Sequence, residues 1–174
     1  MSENRFSLEI KDNSLVDALN RLSKQFSPRE MRPVMNDIGA HVLDSVKERF
    51  YTQKSPEGTP WEELSFFTKK ARLHGVAKRE LPQIAACMIP LVATCDFAEN
   101  SFSFRITDGG ASVEIGTNHF TNTEDGGWKG GAGVHQFGSK DGRIPARPFL
   151  GLSDGDERAI LKIIRNFVEN ATRR

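Results

Sequence analysis

Residues 101–117 read SFSFRITDGGASVEIGT, and apolar and polar side chains alternate on both sides of a central Asp-Gly-Gly tripeptide. A period of two is typical of a strand with one buried face, and Asp and Gly between two such runs indicate a tight turn. The stretch therefore predicts an antiparallel hairpin. The apolar residues that would share its buried face are Phe102, Phe104, Ile106, Val113 and Ile115.

Helical periodicity surrounds this hairpin. Apolar residues recur at helical spacing between Leu15 and Phe26, again between Met31 and Phe50, and finally after residue 153. These three runs predict two N-terminal helices and a C-terminal helix. The predicted apolar face of the second helix consists of Met31, Val34, Met35, Ile38, Val42, Val46 and Phe50.

Capping residues mark where two of these helices begin. Ser27, Pro28 and Glu30 form a capping pattern for the second helix. Pro33 comes late for a first turn, which favours a start one or two residues further on. Ser153 is expected to cap the final helix, whose first turn carries carboxylates that suit the helix dipole.

The order of helices, hairpin and helix, without repeated βαβ units, predicts an α+β fold. We expect a single domain over residues 1–174, with an antiparallel sheet against the two N-terminal helices and the C-terminal helix. A short additional helix is predicted from Trp61 to Ala71. The glycine-rich polar stretch 118–143 is too long for an ordinary connection, which predicts a mobile loop that is functional or orders on binding.

Composition excludes several classes of protein. The 174 residues include 24 Lys and Arg against 23 Asp and Glu, a balance unlike that of proteins that depend on phosphate contacts. No apolar run reaches the about 18–20 residues of a transmembrane helix, and the N-terminus lacks a signal-peptide pattern. We therefore expect no membrane partner. Cys87 and Cys95 match no zinc or redox motif and are expected to be reduced.

No group of residues has the pattern of a catalytic, metal or cofactor site. The four histidines lack metal-ligand spacing, and neither HExxH nor CxxC occurs. GxSxG occurs once, as GLSDG at 151–155, where Ser153 is the residue expected to cap the final helix. Lys129 lies in the glycine-rich run 126–133. A phosphate-binding loop requires Ser or Thr directly after its lysine and then a helical pattern, and the sequence after Lys129 has neither. We expect no enzyme activity and no cofactor. His135 has two open interpretations, a contact at the base of the long loop or a histidine bonded within a sheet.

The segment 69–79 contains five basic residues and no acidic one. It has two interpretations, a phosphate-facing patch or a solvated helix face, and the lack of interleaved aromatic residues favours the second. A small nucleic-acid-binding module that uses this segment is the alternative function, and sequence-specific recognition of nucleic acid is not expected.

Several motifs, taken in order, resemble the phage virion morphogenesis family of tail-completion proteins from contractile-tailed and Mu-like phages. They are SPEGTPW at 55–61, VEIGT at 113–117, HQFG at 135–138 and IPARPFLG at 144–151. The resemblance runs from about residue 5 to the last helix. It implies a structural protein, from a phage or a prophage, that completes the tail and joins it to the head.

The resemblance also implies partners and a location. A subunit of this kind is expected at the head-proximal end of the tail, as a ring of identical copies that contacts the tail tube and the neck or connector proteins. It would be found in the host cytoplasm during assembly and later in the virion. The residues expected to make these contacts are Trp128, Lys129, His135, Gln136, Phe137, Arg147 and Phe149.

Overall fold

The computed structural model describes residues 13–70, 90–91, 101–117 and 132–173. Cys87, Cys95, Trp128 and Lys129 lie outside these ranges. Within them, the elements are α1 (Asn13–Gln25), α2 (Pro28–Thr52), β1 (Phe102–Thr107), β2 (Ser112–Thr117), α3 (Ala132–Phe137) and α4 (Asp154–Thr172). This mixture of helices and an antiparallel pair of strands confirms the α+β prediction. No helix in the described ranges is long and apolar enough to cross a membrane.

Helix α2 is the central element, and its capping box forms as predicted. The Ser27 hydroxyl accepts from the Glu30 N–H, while the Glu30 carboxylate accepts from the Ser27 N–H at 2.8 Å. The helix therefore begins at Pro28, and the later start that Pro33 suggested is wrong. Pro33 lies inside the helix and cannot donate to the carbonyl four residues earlier, a loss that the capping box and the buried face offset. Every residue of the predicted apolar face is buried.

The predicted hairpin is confirmed. Strands β1 and β2 pair antiparallel from Phe102 opposite Thr117 to Thr107 opposite Ser112, around a turn at 108–110. The hairpin packs on α2. At their contact, Gly39 faces the ring of Phe104 so closely that a Cβ atom would overlap it.

Three helices enclose one apolar core. Helix α2 contacts both the hairpin and α4, and α1 packs against α4 and α2. Leu15 and Leu22 of α1 are buried, as are Ile160 and Ile164 of α4. Helix α4 begins as predicted, because Ser153 and Asp156 form a second capping box.

The prediction of a loop through residue 143 is wrong for residues 132–137. Residues 132–137 form α3, and 138–143 form a turn in which the Gly142 N–H donates to the Ser139 carbonyl at 3.0 Å. One face of α3 is buried through Ala132 and Gln136. A helix of six residues beside several glycines is too short to show a recognisable periodicity in the sequence. Tertiary contacts, rather than helix propensity, stabilise a helix of this length. Residues 118–131 lie outside the described ranges.

The additional helix begins later than predicted. Residues 66–70 are helical, whereas Trp61 and the three residues after it are not. The Ser65 hydroxyl accepts from the Thr68 N–H at 3.2 Å, which is the contact of a helix cap. Trp61 is therefore a buried residue of a segment without regular secondary structure, not the first residue of a helix.

Candidate functional site

Residues 144–151, here called the return segment, join parts of the chain that are distant in sequence. The indole N–H of Trp61 donates to the Pro148 carbonyl at 3.0 Å. The Arg147 guanidinium donates to the carbonyls of Glu62 and Glu63, at 2.8 and 3.2 Å. Arg147 is itself buried, and its backbone N–H donates to the carbonyl of His135. The return segment is thereby attached both to 61–63 and to α3.

Gln136 connects α3 to the return segment through all of its amide group. Its Oε1 atom accepts from the backbone N–H groups of Phe149 and Leu150, at 3.0 and 2.9 Å. Its Nε2 atom donates to the Leu150 carbonyl at 2.9 Å. A buried backbone outside helices and strands would leave these polar groups unsatisfied, and the glutamine side chain satisfies them instead.

Phe149 lies at the centre of an aromatic cluster. It is 0% exposed, and its ring centroid lies 5.5 Å from that of Phe50 and 5.4 Å from that of Phe102. Phe50 also contacts Trp61 edge to face, at 5.5 Å. The cluster joins α2, β1, residue 61 and the return segment. Aromatic pairs at these separations are favourable beyond the area they bury.

A buried ion pair fixes the other end of the return segment. Arg49 donates to the carbonyls of Phe149 and Gly151, at 2.7 and 2.9 Å, and to the carboxylate of Asp156 at 2.7 Å. Asp156 is the third residue of α4, where it also accepts from Ser153. A single guanidinium therefore links α2, the return segment and the first turn of α4.

The two charges change each other's ionisation. Burial lowers the pKa of Arg49, and the nearby Asp156 carboxylate opposes this effect. Burial alone would raise the pKa of Asp156, but hydrogen bonds from Ser153 and Ser45 and the charge of Arg49 outweigh it. The pKa of Asp156 therefore lies below its ordinary value. His41 places its Nε2 atom 3.2 Å from Asp156 Oδ1 and adds a positive charge when it is protonated.

We predict that Asp156 contributes to acid unfolding. Because its folded-state pKa is below the unfolded value of about 3.9, its contribution is complete above that pH and is lost as the pH falls through the folded-state pKa. In urea unfolding, the stability difference between the wild type and Asp156→Asn should shrink as the pH falls from 7 to 3. Asp154→Asn, which changes an exposed carboxylate of the same helical turn, is the control. A difference that stays constant over this range would contradict the prediction.

Comparison with known proteins shows to which family the chain belongs. The model of the phage virion morphogenesis family matches residues 10–169, a range that includes both N-terminal helices, the hairpin and the return segment. The chain belongs to this family. Tail completion protein S of Escherichia phage P2 is 26% identical over 162 residues, which cover 88% of this chain and 94% of that protein. No solved structure matches the chain.

The predicted contact residues that the structure describes differ in burial. Gln136, Arg147 and Phe149 are buried, and each bonds or packs against other parts of the same chain. His135 is half-buried, and its carbonyl accepts from the return segment. Phe137 is different, because 65% of it is exposed. Contacts of these residues with other proteins stay a prediction, and among the described ones Phe137 is the most exposed.

Sequence reasoning missed Arg49, which organises the return segment. The available signal was its position, because Arg49 follows Val46 by three residues and so lies on the apolar stripe of α2. An arginine on such a stripe requires a buried partner.

The exposure of Phe66 and Phe67 was also not predicted from the sequence. They are 72% and 81% exposed, although both are large apolar residues. Within the described ranges, no group of His, Cys, Asp and Glu is arranged to hold a metal ion.

Proposed function

We propose that this chain is a structural subunit, not an enzyme, which completes the phage tail and joins it stably to the DNA-filled head. Its proposed partners are further copies of itself in a ring, the tail tube and the neck or connector proteins. Assembly would take place in the host cytoplasm. The observation that carries the proposal is the family match over residues 10–169, together with a relative named for tail completion.

The use of the buried polar side chains supports a structural role. Arg49, Gln136 and Arg147 each donate to backbone carbonyls of segments far away in sequence. Such bonds fix the path of loops that lack regular secondary structure. A subunit held in this way keeps one shape, and a subunit of a ring needs one shape to repeat the same contact.

Contacts with other tail proteins are proposed for the surface next to the return segment. Phe137 is the exposed residue at the end of α3, directly after the buried Gln136. Trp128 and Lys129 come shortly before α3 in the sequence and remain predicted contact residues. An exposed aromatic side chain on a rigid base is a common anchor at protein interfaces.

Particles from a phage or prophage that lacks this gene test the proposal. We expect filled heads and separate tails under the electron microscope, with most infectivity lost and then restored by the wild-type gene in trans. Normal infectious particles without the gene would overturn the proposal.

The nucleic-acid alternative gives a different result in the same preparation. Lys69 already binds the Glu63 carboxylate at 2.7 Å, and residues 71–79 of the basic segment lie outside the described ranges. A nucleic-acid-binding module would bind free duplex DNA with an affinity that falls steeply as salt rises. A tail subunit would co-purify with tails and ignore free DNA.

A further inference from the structure

A groove between α2 and β1 combines two arginines and one aspartate with apolar surface. Its volume is about 530 Å³, and it lies on one face of the first half of α2. Ligand pockets of about 300–1,000 Å³ hold a drug-sized molecule, so the groove has room for two phenyl rings. Its lining residues are Arg29, Arg32, Pro33, Asn36, Asp37 and Ile106.

The two arginines of the groove lack an acidic partner within the described part of the chain. Arg29 and Arg32 are both exposed, and neither forms an ion pair with a described residue. They lie three residues apart, on the same side of the helix. The Cβ atom of Arg32 lies beside the hairpin turn, close to Gly110. An occupant of the groove should therefore offer a carboxylate to the arginines, away from Asp37, together with apolar side chains.

One segment of the chain offers this combination. Phe66 and Phe67 are 72% and 81% exposed, and their rings contact each other edge to face with centroids 5.9 Å apart. Glu62, also exposed, lies four residues before Phe66, in the non-helical segment that leads into residues 66–70. We call Glu62, Phe66 and Phe67 the aromatic knob.

The base of the aromatic knob is rigidly held. Trp61 is buried and bound to the return segment, and Arg147 binds the carbonyls of both residues that follow Trp61. Ser65 caps the helical residues 66–70. Little conformational freedom of the backbone remains to be lost when the two rings are buried, which favours binding.

We infer that the aromatic knob of one copy binds the groove between α2 and β1 of a second copy. Phe66 and Phe67 contact the surface of Pro33 and Ile106, and Glu62 pairs with Arg32. The two arginines, which are unpaired within the described part of the chain, and the size of the groove support this occupant. Because knob and groove are different surfaces, the contact is head-to-tail, and repeated contacts of this kind close into a ring when the rotation allows. The inference rests on the proposed function and specifies the interface of the proposed ring.

Site-specific photo-cross-linking in assembled tails tests the contact directly. A photoreactive phenylalanine analogue replaces Phe67, and the same analogue at Tyr51, which is 63% exposed, serves as the control. We expect a product with the mass of two chains, in which residue 67 is joined to 29–37 or to residue 106. The analogue at 51 should not give this product. Cross-linking of residue 67 to a different tail protein would overturn the inference and leave the role in the tail intact.

Charge reversal provides the second test. In tails assembled with Arg32→Glu or Glu62→Arg, the amount of the two-chain product should fall, and the double variant should restore it. Arg165→Glu reverses an exposed charge on α4 and should have no effect. Equal yields in all variants would overturn the inference alone. If instead the wild-type protein is absent from purified tails, the proposed function itself fails.

Discussion

Replacing Arg49 with methionine is expected to lower the free energy of unfolding by about 3–5 kcal/mol, because it removes one partner of a buried ion pair. The Asp156 carboxylate would remain buried without its cation, and the carbonyls of Phe149 and Gly151 would lose their donor. Methionine has a similar length and fills most of the volume, so the loss reports chiefly on polar contacts. Chemical denaturation followed by circular dichroism measures it.

Two further variants separate the loss of the ion pair from the general effect of replacing an arginine on a helix. Arg165→Met makes the same exchange at an exposed position of α4 and should change stability by less than about 0.5 kcal/mol. Combining Arg49→Met with Asp156→Asn should cost less than the sum of the single substitutions, since the second removes the uncompensated charge. A loss below about 1 kcal/mol for Arg49→Met, or strict additivity, would contradict a net stabilising ion pair.

Regular elements could be predicted from sequence because their signals are local. The hairpin turn contains Asp108 and Gly109, which adopt positive φ angles of 51° and 69°, a backbone region that Gly and Asp enter more readily than other residues. Ser27 and Glu30 likewise fix the start of α2 within a single turn. Such signals involve residues close in sequence, so no knowledge of the tertiary fold is needed.

The connections could not be predicted, because distant residues determine them. Helix α3 has a weak pattern of its own, and Gln136 gains its partners only when the return segment lies beside it. Trp61 has the apolar character of a helix residue, yet its position depends on Pro148. Arg49 and Asp156 are separated by 107 residues. For each of these positions, the contact that decides the conformation is absent from the local sequence.

The family motifs therefore have a structural role within the chain that is distinct from their predicted role as contacts. The motifs at 55–61, 135–138 and 144–151 meet at the return segment, where Trp61, Gln136 and Arg147 hold the chain together. A motif shared by a family of assembly proteins need not be a contact surface, because a fixed fold is also a requirement of assembly. Phe149 and Phe137 belong to different motifs and allow the two roles to be separated.

Phe149→Ala is expected to lower the free energy of unfolding by about 3–5 kcal/mol, since it leaves a cavity beside Phe50 and Phe102. Phe137→Ala removes the same atoms from a residue that is 65% exposed, and its loss in denaturant unfolding should be much smaller. In phage complementation the order should differ: Phe137→Ala should accumulate as folded protein yet join fewer tails to heads. If Phe137→Ala destabilises as much as Phe149→Ala, or complements fully, the contact role of Phe137 is wrong. A small loss for Phe149→Ala would show that the aromatic cluster does not hold the return segment.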